Sequence, residues 1–66
     1  IMFKVVDSMT QHDETDTDFL MILAFLDPKD GFSHFSQSED GAPIVHDRAG
    51  NSGELHAADY HIEVVN

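Results

Sequence analysis

Asp13, Glu14, Asp16 and Asp18 place four carboxylates within six residues of this 66-residue chain. Acids at alternate positions are the usual start of a calcium loop. An EF-hand then requires Gly at the sixth loop position and Glu at the twelfth, the first for a sharp turn and the second as a bidentate ligand. Counted from Glu14, those positions hold Phe19 and Phe25, so the pattern fails. Three readings remain: a solvated acidic loop, a non-specific cation site, and a row of anions for a basic partner. In extended chain, alternate residues share a side and lie about 6.6 Å apart. Glu14, Asp16 and Asp18 on such a strand would present carboxylates at a spacing near that of nucleic-acid phosphates. Glu39, Asp40, Asp47 and Glu54 extend the candidate partner-binding set, with Asp59 and Glu63 as further acids.

Five histidines, His12, His34, His46, His56 and His61, raise the question of a metal. Zinc needs three or four ligands converging on one point. No pair has the i, i+4 spacing of a zinc-binding helix, and a regular strand would send His56 and His61 to opposite faces. Surface or half-buried histidines are the simpler reading, with no metal and no cofactor. An unperturbed histidine titrates at pH ~6.5, so mild acidification adds positive charge and should weaken any contact made through the acids. For nucleophilic catalysis, Ser33–His34, Ser52 with Glu54 and His56, and His46–Asp47 supply residue types but no fixed geometry. "DRAGNSGE" lacks the Gly–Lys–Ser/Thr ending of a phosphate loop. The chain reads as a non-enzyme.

Charge is the dominant feature. Thirteen Asp and Glu face three Lys and Arg, a formal net charge of −10. Direct nucleic-acid binding needs cations that displace counterions from phosphate, and the same sign argument disfavours anionic membranes. The six aromatic residues, Phe3, Phe19, Phe25, Phe32, Phe35 and Tyr60, lack the interleaved Lys and Arg of a single-strand stacking platform. Basic protein surfaces are the partners that remain, including the groove of a nucleic-acid-binding protein. The competing reading is acidity for solubility alone. The absence of a signal-like start or a membrane-length apolar segment leads to an expected cytoplasmic location, the host cytoplasm if the chain is viral.

The elements that must hold these groups follow from periodicity and punctuation. The length suits one small acidic domain, 1–66, whose core is thin. There are no cysteines, so no disulfide or thiolate zinc site reinforces it, and a homodimer is a plausible support. Turn signals recur about every 10 residues, at "DPKDG", "SEDG" and "RAGNSG", a spacing that suits short antiparallel strands. The expected fold is mostly β, a small antiparallel five-stranded meander or barrel with strands at about 2–9, 18–26, 31–37, 42–47 and 55–65. The alternative is α+β with one short helix at about 17–26. The run "FLMILAFL" (19–26) is apolar on every face and fits either; Thr17 or Asp18 could cap a helix there. As a central strand it would demand a closed barrel, a covering helix or a second copy.

The function expected is a small acidic protein-binding module. Its sharpest form is an inhibitor that mimics nucleic-acid phosphate and blocks a basic groove, as a virus-encoded anti-defence protein would. The alternatives are a histidine-using metal-binding or pH-responsive accessory domain, and a structural dimerisation module acidic only for solubility.

Overall fold

The computed structural model describes residues 2–56 and 59–65. Strand β1 (Met2–Asp7) leads through an acidic loop into helix α1 (Thr17–Leu23) and a 3-10 turn at Pro28–Asp30. Strands β2 (Phe32–Gln37), β3 (Pro43–Asp47) and β4 (Ser52–Glu54) follow, and β5 (Tyr60–Val65) returns to the start. The strands form two antiparallel sheets, β1–β5 and β2–β3–β4. The first pairs Met2 with Val65 through to Asp7 with Tyr60. The second is a meander with an irregularity between Phe32 and His34.

The chain is thus mostly β with five strands and one short helix, in the α+β arrangement. Four of the expected element bounds change. Residues 18–26 are not a strand, because local chemistry at both ends selects a helix. The Asp16 carboxylate accepts the Phe19 amide at 3.1 Å and caps the first turn. At the other end the Phe25 amide donates to the Ile22 carbonyl at 3.0 Å and the Leu26 amide to Met21 at 2.8 Å. That is the Schellman closure of a helix C-terminus, and it places Phe25 at φ 60°. Second, the missing strand is Ser52–Glu54, inside the stretch expected to be a turn. Third, the closing strand starts at Tyr60 rather than 55; Ala57 and Ala58, within the expected range, lie outside the described residues. Residues 8–10 turn away instead of extending β1. The sheets remain separate, so no barrel closes.

The core shows why a helix is needed. Leu20, Met21 and Ala24 on one face of α1 pack with Val5 of one sheet, Val45 of the other, and Leu55. Phe32, Phe35, Tyr60 and Ile62 lean on this cluster from the strands. The solvent-facing side of β2–β3 carries His34 and Ser36 opposite His46 and Ile44. Val45 and Asp47 point inward, as strand alternation requires. No helix among the described residues is long and apolar enough to cross a membrane.

Gly53 marks the tightest contact. It pairs with Val45, and a Cβ built on it would lie 2.1 Å from the Ala24 carbonyl oxygen. The C-terminal end of α1 therefore rests directly on β4 backbone, and only glycine admits that approach. Gly53→Ala should destabilise the fold by about 2 kcal/mol or more, because backbone must shift. A urea midpoint unchanged by the substitution would show that α1 is not seated on β4.

Candidate functional site

The first-loop acids are assembled by β1. The Asp7 amide donates to the His12 carbonyl at 3.0 Å and the Glu14 amide to Val5 at 2.8 Å, so residues 12–14 run along the edge of β1, with Asp13 bridged to Val6. Alternation then divides the acids. Asp13 joins Lys4 and Glu63 on the outer face: Lys4 Nζ lies 3.5 Å from Asp13 and 3.9 Å from Glu63. Glu14 turns the other way, where its carboxylate accepts the Tyr60 hydroxyl at 3.5 Å. The phenol is held above its ordinary value by burial first, then by the fields of Glu14, Asp7 and Asp59 and by the Glu14 hydrogen bond. Tyr60 thus registers three carboxylates at once. Asp16 and Asp18 continue from this group into α1, Asp16 as cap and Asp18 in the first turn, where a negative charge suits the helix dipole.

The remaining candidates lie apart. Glu39 and Asp40 occupy the β2–β3 turn, in the other sheet. Glu54 is exposed on β4 opposite Ile44. Asp47 is only 5% exposed; its carboxylate accepts the Ala49 and Asn51 amides at 3.0 and 2.7 Å and the Asn51 side chain at 3.3 Å. Those bonds brace the turn that contains Gly50 at φ 89°, and they withdraw Asp47 from any partner surface. The eight sequence candidates therefore divide into one run, Asp13 to Asp18, itself split between two faces and the helix start, and three separate places: the Glu39–Asp40 turn, Asp47 and Glu54. The even row imagined for Glu14, Asp16 and Asp18 does not form either. It needs extended chain, whereas Asp16 and Asp18 belong to a helix start.

Two of the five histidines pair with each other, and no group of three metal-ligating side chains occurs among the described residues. The rings of His34 and His46 stack at 4.2 Å and 7°. The Ser36 hydroxyl lies 2.6 Å from Nε2 of His46, and the Ser33 hydroxyl 3.0 Å from Nδ1 of His34. His46 and Asp47, adjacent in sequence, face opposite sides of β3. His46 lies below the usual imidazole value, because burial disfavours the charged ring and because His34 would repel it.

One constellation escapes sequence reading altogether. The Ser8 hydroxyl lies 2.6 Å from Nδ1 of His61, and Nε2 of His61 lies 2.7 Å from Glu63. Ser8 and His61 are 53 positions apart, joined only because the first and last strands pair. The residue types are those of nucleophile, base and orienting acid. The surroundings oppose acyl transfer, however. The Ser8 and Met9 amides already donate to the Asp59 carbonyl at 2.6 Å and to the Asp7 carboxylate at 2.9 Å, so neither is free to stabilise an oxyanion. The described cavity, about 440 Å³, lies elsewhere, between Met2 and Phe3 of β1 and residues Phe32–Ser36 of β2. Ser8 and Glu63 fix the His61 ring, and this corner reads as part of the acidic surface.

Comparison with protein-family models, with curated proteins and with solved structures finds no match.

Two titrations check these environments. The chain has one tyrosine, so phenolate absorbance reports Tyr60 alone. Its midpoint should exceed the usual value of about 10 and should fall towards it in Glu14→Gln; equal midpoints would mean the acids do not converge there. For His46 the folded ring binds its proton less readily than the unfolded one. Stability from this site is present above about pH 6.5 and is lost as pH falls through the lower folded value. The Tm advantage of the parent over His46→Gln should therefore shrink between about pH 8 and about pH 5; a constant gap would contradict the stacked, half-buried ring.

Proposed function

We propose that the chain is an acidic protein-binding module. Its carboxylate-rich end, built on β1, β5 and the start of α1, docks on a basic surface of another protein. The observation that carries this reading is the lack of internal neutralisation. Of thirteen Asp and Glu, only Asp13 and Glu63 meet a Lys or Arg among the described residues, and both share Lys4. Exposed pairs of this kind contribute little stability. The carboxylates of Glu14, Asp7 and Asp59 instead act together on Tyr60.

Crowded like charges cost folding free energy, and a complementary basic partner converts that cost into attraction and faster association. The groove of a nucleic-acid-binding protein has the required sign and curvature, and in it the carboxylates would take the place of phosphates. A virus-encoded inhibitor of host defence is one role that suits this chemistry. The geometry favours an irregular cluster spread over a loop and a helix start over a regular phosphate ladder, so the fit would be one of charge density more than spacing.

The test is a titration against basic nucleic-acid-binding proteins with bound nucleic acid as competitor. Binding should weaken steeply between about 50 and about 200 mM salt, as for contacts made by charge. A variant carrying Asp13→Asn, Glu14→Gln, Asp16→Asn and Asp18→Asn should lose about tenfold or more in affinity; Asn at position 16 still caps α1. The Glu39→Gln, Asp40→Asn variant should lose less. Equal losses in the two variants, or affinity indifferent to salt, would overturn the proposal.

A further inference from the structure

The outward face of α1 carries an apolar stripe that the fold itself does not use. Phe19, Ile22 and Phe25 follow one another at intervals of three and are 41%, 58% and 80% exposed. Phe19 and Ile22 lie three apart on the helix and are neighbours, and Phe25 follows just past its end, while Leu20, Met21 and Ala24 are buried. Contiguous exposed apolar surface on a small protein commonly marks an interaction site.

Phe25 supplies an independent sign. It occupies the position after the helix cap where the chain turns left-handed, at φ 60°. Glycine fills that position without strain, whereas a side chain meets its own backbone. The ring gains little within the fold in exchange, since it projects into solvent and touches His56 at a centroid distance of 4.7 Å. A strained residue whose side chain adds little to its own core invites a functional reading.

The charges beside the stripe select its occupant. Asp18 lies one turn before Ile22 on the same face, Asp16 caps the helix, and Asp27 follows it. Lys29, between Asp27 and Asp30, is the nearby cation in sequence. A second copy of this chain would bring two net charges of −10 together and set Asp18 near its own counterpart. A segment carrying apolar residues on one side and Lys or Arg beside them satisfies both features. We infer that α1 is the anchoring face for a basic amphipathic helix of the partner, with Phe19, Ile22 and Phe25 receiving its apolar side and Asp16 and Asp18 its cations. This deepens the proposed function and rests on it.

The experiment uses two probes of equal positive charge, a synthetic amphipathic helix of Leu and Lys and a poly-lysine, with Phe25→Gly and Ile22→Gln as variants. The amphipathic probe should bind about tenfold or more tighter than poly-lysine, and each variant should remove most of that preference while leaving poly-lysine binding unchanged. Phe25→Gly should at the same time raise Tm by about 4 °C, as relief of left-handed strain predicts. Stability and binding thus move in opposite directions, which a purely structural phenylalanine would not produce. No preference for the amphipathic probe, a preference that survives both variants, or a fall in Tm for Phe25→Gly would overturn the inference. So would a parent that is dimeric in solution and becomes monomeric on Phe25→Gly, since the stripe would then serve self-association. Failure of poly-lysine itself to bind would instead count against the acidic-module reading.

Discussion

Two small sheets that share no hydrogen-bonded ladder are held together by side-chain packing, and about two turns of helix supply much of it. Leu20 and Met21 are wholly buried between Val5 of the β1–β5 pair and Val45 of the three-stranded sheet. Neither sheet alone has enough apolar surface to stand in water. At its far end α1 rests its Ala24 carbonyl on Gly53, so the helix position is fixed by backbone contact as well as by side chains. A core of this size has little reserve, and every feature of the surface is built around keeping α1 in place. The Asp16 cap and the Leu26–Met21 bond that closes the last turn serve that end.

Much of this pattern can be read from residue types. "FKVV", "PIVHD" and "YHIEVV" are strands because β-branched and aromatic residues fill them and turn residues bound them. The helix at 17–23 is harder, because the run from Phe19 to Leu26 is apolar in all directions and carries no period. Its C-terminal signal is also disguised: the left-handed position is ordinarily glycine, and here it is Phe25. Strand β4 is hidden for the converse reason. "SGE" has no strand-forming residue and contains a glycine, yet that glycine is what the approach of Ala24 demands. The acids show the same limit. Their number was evident, whereas their division between a β-bridge, a helix cap and a braced turn depends on hydrogen bonds of Asp7, Asp16 and Asp47 that composition does not reveal. The Ser8–His61 contact depends on the pairing of the two ends of the chain, and nothing local foretells it.

The charge and the thin core pull against each other. Glu14, Asp7 and Asp59 all act on the Tyr60 phenol with no Lys or Arg among them. A sequence shaped for stability alone would place lysines opposite these acids, as it does once with Lys4. Retaining the surplus is costly to a fold of 66 residues, and the strained Phe25 adds about 1 kcal/mol more of the same sign. Surplus charge alone fits solubility; surplus charge together with an exposed, strained aromatic on the adjacent helix does not, since an apolar stripe works against solubility.

Helix α1 unites the two halves of the molecule. Its inner face joins the sheets, and its outer face carries both the terminal acids of the loop and the apolar stripe. A partner seated on the outer face would therefore press on the one element whose position decides whether the core exists. Binding confined to the native state stabilises it in proportion to ligand occupancy. On the proposed function, recognition and folding would be coupled through the seven residues of α1.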